Sequence, residues 1–239
     1  MSSDLGTHQL GQSLGLYPPS AVQPTRSVGL SMSLYELHVT VELSPLDEMR
    51  WIWICNDLNF KPIRVVNDKG ENRIQNMMSK YCSRETSDEA IVYIKQIEDE
   101  LDGCGFNVCR SKVEGMMMND QFKSITLTED EEYEYWEFHF KIRINKAFEL
   151  QRLVNWKRNR VSKGDDCIAL SMTTSGTTKY PIITIRIHTG TRDEAIQKKN
   201  EVIDSLKKAG FHVNGKIQME CVIYDTNPDY DAGWFGPTY

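Results

Sequence analysis

Two stretches of the chain alternate strictly between apolar and polar residues. In the first, Tyr35, Leu37, Val39, Val41 and Leu43 interleave with Glu36, His38, Thr40 and Glu42. In the second, Trp136, Phe138, Phe140, Ile142 and Ile144 interleave with Glu137, His139, Lys141 and Arg143. A period of two is that of a strand with one apolar face. After the first strand, Ser44-Pro45 reads as a helix cap and first turn, with Leu46, Met49, Ile52 and Trp53 on one helical face. In the second stretch Asn145 takes the cap position, followed by Phe148, Leu153 and Val154. Further strands are expected near 63–66 and 77–83, and near 168–172 and 182–188. Asp68-Lys69-Gly70 and Thr174-Ser175-Gly176 mark the turns between them.

The same order of elements occurs twice because the sequence repeats. Thr86–Val108 and Thr191–Val213 match at ten of 23 positions without a gap. Each matched segment opens on Thr with Glu three residues later, a capping box, and ends on Gly105 or Gly210 before a last strand. The pattern predicts an α/β (α+β) protein, a tandem duplication of a βαββαβ ferredoxin-like unit forming a bilobal body. Helices would cover one face of each sheet and leave the other open. The expected division is a flexible tail over 1–33, a first repeat over 34–115 and an acidic linker over 116–134. A second repeat over 135–224 and an aromatic, acidic tail over 225–239 follow. Within the linker, the acidic run Glu129–Glu134 reads as solvated, and Met116–Met118 as a linker feature.

Composition narrows the picture. A formal charge of -6 argues against bulk electrostatic binding to nucleic acid, though not against a local basic patch. No apolar run approaches the roughly 18–20 residues that cross a bilayer, so no membrane is expected. Six cysteines without a CxxC pair read as reduced thiols in a cytoplasmic compartment. The aspartates of the segment from Tyr224 alternate like calcium ligands, but the sixth loop position is Tyr230 and no closing Glu follows, so neither metal nor cofactor is expected. Trp234 and Phe235 would turn back to cap an apolar surface, and Asp225 is placed to orient a histidine.

The candidate chemistry lies on the polar phase of the strands. His38 and Thr40 in the first half, with His139, Lys141, Arg143, Arg186 and His188 in the second, share the face away from the helices. A cationic, histidine-rich face in an acidic protein suits phosphate: arginine supplies a bidentate fork, lysine a point charge and histidine a proton carrier. A His-x-Thr on a strand, repeated in two related halves, resembles the 2H phosphoesterase superfamily. His38-Val39-Thr40 fits its motif, whereas His139-Phe140-Lys141 has lysine in place of the hydroxyl residue. The resemblance implies metal-independent hydrolysis or transfer of cyclic or RNA phosphate esters, with His38, Thr40, His139 and Lys141 catalytic. Arg143, Arg186 and His188 would bind phosphate. The expected partner is a nucleotide or RNA phosphate, with a protein partner possible through the N-terminal tail; the oligomeric state is open. The alternative is a non-catalytic structural or protein-interaction module.

Overall fold

In the computed structural model, which describes residues 32–128 and 134–236, the first strand departs from expectation at once. Tyr35, Leu37, Val39 and Val41 are buried as their phase requires, but so are Glu36 and Thr40 from the opposite phase. A sheet with an open face would leave those two in water. The reason lies in how the strands associate.

The elements run β1 Ser33–Glu42, α1 Glu48–Asp57, β2 Lys61–Asn67, β3 Ile74–Arg84, α2 Ser87–Gly103, β4 Asn107–Met116 and β5 Thr126–Leu127. They continue with β6 Tyr135–Arg143, α3 Ala147–Val161, β7 Ile168–Ser175, β8 Thr178–Ile187, β9 Gly190–Thr191, α4 Arg192–Lys208 and β10 His212–Asp225. Eight long strands form one closed antiparallel barrel in the order β1-β3-β2-β7-β8-β6-β10-β4. This overturns the bilobal ferredoxin-like reading. The strands that would have been sheet edges pair across the two halves of the sequence. β2 meets β7 from Arg64↔Thr174 to Asn67↔Ser171, and β4 meets β10 from Met116↔Glu220 to Lys112↔Asp225. An edge carries a row of unpaired N–H and C=O groups, and closure pairs the edges with one another along these stretches.

The apolar phase of β1 and β6 points outward, to the helices. Ala90, Ile94, Ile97 and Leu101 of α2 and Ala195, Val202, Ile203 and Leu206 of α4 are buried at helical spacing against it. Thr86 and Thr191 cap these helices, each hydroxyl accepting from the backbone N–H of the Glu three residues on, at 3.3 Å. Gly105 and Gly210 follow at φ +74° and +81°, a region that a side chain rarely enters. α1 differs from its expected phase. It buries Trp51 and Cys55, while Leu46, Met49 and Trp53 are exposed. The sequence from Trp51 to Leu58 carries a second apolar stripe, and the helix starts at Glu48, so that stripe meets the barrel. α3 likewise starts one residue later than expected, with Lys146 at its cap.

The tail to residue 31 and residues 129–133 of the acidic run lie outside the described residues. Between β4 and β6, a 3-10 turn at Asp120–Phe122 buries the Phe122 ring against Gly115, where a Cβ would overlap it. β5 pairs with β9 as a two-stranded ladder. At the C-terminal end, Trp234 and Phe235 pack on Ala169, and Trp234 Nε1 donates to the Leu170 carbonyl at 3.1 Å. Among the described residues no helix is long and apolar enough to cross a membrane.

Candidate functional site

Closure turns the polar phase inward. Glu36, His38 and Thr40 of β1 and Glu137, His139 and Lys141 of β6 therefore line a cavity of about 900 Å³ instead of an open face. β4 and β10 complete it. Arg110, Lys112 and Glu114 alternate along β4, and Gln218 and Glu220 along β10. Glu36 stands opposite Glu114 in the ladder, and Glu137 opposite Glu220, so one carboxylate pair occurs in each half.

The two histidines approach one carboxylate. His38 Nε2 lies 2.9 Å from Glu114 Oε2 and 3.6 Å from Glu36 Oε1. One ligand atom each from Glu114, His139 and Glu220 lies within 4.8 Å of the others, as do those of Glu36, His38 and Glu114. His139 is held from behind: its Nδ1 is 3.0 Å from Thr184 Oγ1, and Nε2 is 3.5 Å from both Glu137 and Glu220. Burial opposes a proton on His38, but Glu114 and Glu36 outweigh it and hold its pKa above the ordinary value.

A second network lies beside the first. Arg110 donates to Asp225 through Nε (2.8 Å) and Nη2 (2.5 Å), and to Asp231 through Nη1 (2.7 Å). Arg186 donates to Glu137 at 2.9 Å and to Asp231 at 2.6 Å. Lys112 bridges Glu114 and Glu137 at 2.6 and 2.7 Å. Burial alone would raise the Glu137 and Asp231 carboxyls. Lys112 and Arg186 around the first, and Arg110 and Arg186 around the second, hold both well below the ordinary range.

Glu220 is the exception. It is fully buried, neither carboxylate oxygen has a hydrogen-bond partner, and burial followed by the charges of Glu114, Glu36 and Glu137 pushes it well above the usual carboxylate range. The charge inventory of the interior explains why. Glu36, Glu114, Glu137, Glu220, Asp225 and Asp231 are buried against Arg110, Lys112 and Arg186. Six acids face three permanent cations among the described residues, and His38 and the raised Glu220 make up only part of the difference.

The expected site residues divide accordingly. His38, Thr40, His139, Lys141 and Arg186 line the cavity. Thr40 stands opposite Arg110 on β4, and the Lys141 ammonium lies 4.6 Å from the centre of the Tyr180 ring. Arg186 is committed to Glu137 and Asp231 and so offers no open fork to a phosphate. Arg143 is exposed at the end of β6, outside the cavity lining, and donates to Asn145 at 3.2 Å. His188 also falls outside the lining. It packs on Tyr135 with ring centroids 5.2 Å apart, and burial and the Arg186 charge push its pKa down to about 4. Asp225 orients an arginine, Arg110, rather than a histidine. Sequence reasoning missed Arg110, Lys112, Glu114, Glu220 and Asp231. The alternation Arg110-x-Lys112-x-Glu114 carried the signal for the first three.

No protein-family model matches this chain, and no curated protein matches it.

Proposed function

We propose that the barrel takes up a small phosphate-bearing molecule, a phosphate ester or a single nucleotide, through a lysine-bearing rim above the paired histidines. The observation that carries this is the asymmetry between rim and interior. Lys61 and Lys216 line the cavity yet are exposed, and Lys141 lines it half-buried. Among the described residues, none of the three has a carboxylate within 4.0 Å, whereas Arg110, Lys112 and Arg186 inside are all paired. Unpaired lysines at an opening attract an anion, and a cavity of this volume suits one ligand of nucleotide size rather than a strand.

The carboxylates around His38 and His139 repel a phosphate dianion, which favours a pose with the phosphate at the rim and the remainder of the ligand inward. His38, which Glu114 and Glu36 favour in its protonated form, then serves as a general acid toward a leaving oxygen, and His139 as its counterpart from the other half. This keeps the paired-histidine logic of the 2H phosphoesterases, in a barrel rather than in two lobes. A second reading, a protein-interaction module, draws on the exposed Leu46, Met49 and Trp53.

Thermal melting of chelator-treated protein against inorganic phosphate, nucleoside monophosphates and cyclic nucleotides separates the two. At least one phosphate ligand is expected to raise the melting temperature of the wild type. The Lys61→Ala/Lys141→Ala/Lys216→Ala variant should bind that ligand about tenfold or more weakly while melting normally without it, since rim lysines outside ion pairs contribute little to stability. No shift with any phosphate ligand, or equal binding by the variant, would move the reading to the interaction module.

A further inference from the structure

Three features of the interior converge on one carboxylate, and phosphate binding explains none of them. The first is the donor set. Glu114, His139 and Glu220 bring two carboxylates and an imidazole within 4.8 Å of one another, and Glu36 and His38 flank the same Glu114. Mixed carboxylate and imidazole donors are the ligands of Mn²⁺, Fe²⁺ and Zn²⁺. The second is orientation. His139 Nδ1 meets the Thr184 hydroxyl at 3.0 Å, which directs Nε2 toward Glu220. A histidine ligand is held in this way, its rear nitrogen fixed by a hydrogen bond and its front nitrogen presented to the ion. The third is the orphan. Glu220 is 0% exposed and lines the cavity, and among the described residues neither oxygen accepts a hydrogen bond, His139 Nε2 standing off at 3.5 Å. A buried carboxylate without a partner costs free energy that a cation recovers.

Lys112 does not remove the need for that cation. Its ammonium meets Glu114 Oε1 and Glu137 Oε2, leaving Glu114 Oε2 on the histidine side and Glu220 unserved. The six acids of the interior still outnumber its cations after Lys112, Arg110, Arg186 and a protonated His38 are counted. Glu137, although beside His139, is occupied by Lys112 and Arg186, and so supports the cluster rather than ligating.

We propose that Glu114, His139 and Glu220 form a binding site for a divalent transition-metal ion, with Glu36 and His38 clustered on the same Glu114. This does not rest on the phosphate reading, and its test uses metal alone. The full chain, stripped with chelator, is titrated with Mn²⁺ and separately with Zn²⁺. Binding is followed by calorimetry, by loss of the free Mn²⁺ spin-resonance signal and by thermal melting. One tightly bound ion per chain and a raised melting temperature are expected. Glu220→Gln and His139→Ala should each weaken binding by about 10–100-fold. Glu220→Gln is nearly isosteric and removes a buried acid crowded by other acids, so it should melt no lower than wild type without metal, which separates lost binding from lost folding. Uptake of neither ion by the wild type would overturn the site, as would unchanged affinity in Glu220→Gln.

Discussion

Replacing Arg110 with methionine is expected to lower the unfolding free energy by about 3–5 kcal/mol, the cost of leaving buried charges without a partner. The residue is 4% exposed and anchors two carboxylates from the C-terminal segment, Asp225 by its fork and Asp231 by Nη1, besides donating to the Tyr135 hydroxyl at 3.1 Å. Without it, Asp231 keeps Arg186 and Gln75, but Asp225 is left, among the described residues, with the Tyr135 hydroxyl at 2.8 Å and the Asn227 N–H at 3.1 Å as donors. In a body of this size the loss corresponds to a melting point lower by roughly 10 °C. Arg110→Lys keeps the charge but not the planar fork and should fall between the two.

The effect carries a pH signature. Burial raises the Asp225 and Asp231 carboxyls, but Arg110 and its neighbours outweigh it, so both lie below the ordinary 3.8. Their stabilising contribution is present above 3.8 and is lost as pH falls through the folded-state values. The gap between wild type and Arg110→Met should therefore be full at pH 7 and shrink below about pH 4. Chemical denaturation at both pH values measures it. A loss under about 1 kcal/mol at pH 7 would mean that this network is not a charged, dry one.

Glu220→Gln is expected to act in the opposite direction, stabilising the metal-free protein by about 1–3 kcal/mol. Most buried-to-buried substitutions destabilise, so the sign is the informative part. The wild-type carboxyl is crowded by Glu114, Glu36 and Glu137, and its nearest basic group, His139 Nε2, stands off at 3.5 Å. A glutamine amide keeps the volume, removes the charge and supplies N–H groups to the carboxylates of Glu36 and Glu114. Denaturant titration in the presence of chelator tests this. Destabilisation by 1 kcal/mol or more, the scale of an ordinary lost hydrogen bond, would show that Glu220 is already satisfied.

The strands were legible because β1 and β6 alternate without a break, and α2 and α4 because threonine caps and terminal glycines bracket an apolar stripe. Alternation says which residues share a face, not what that face meets. Whether Glu36, His38 and Thr40 look into water or into a cavity depends on β2 finding β7 and β4 finding β10. Those pairings span roughly a hundred residues and leave no local mark in the sequence. The helix phase of α1 was ambiguous for a local reason: Leu46/Met49/Trp53 and Trp51/Cys55 are both apolar at helical spacing, and only packing on the barrel chooses between them. Arg143 and His188 share the parity of the site but sit where their strands leave the cavity lining, which parity cannot show. Asp231 enters the interior from a 3-10 turn, where no periodicity exists to read.

The enclosed interior, and every role assigned within it, depends on the two seams of the barrel. Backbone hydrogen exchange at β2–β7 and β4–β10 tests them directly. Closure predicts that amides at Val65–Asn67, Ser171–Thr174 and the paired stretch from Cys221 to Asp225 are protected to the same degree as those of β1 and β6. Exchange at the seams at the rates of open edges, with β1 and β6 still protected, would contradict the barrel and dissolve the cavity with it.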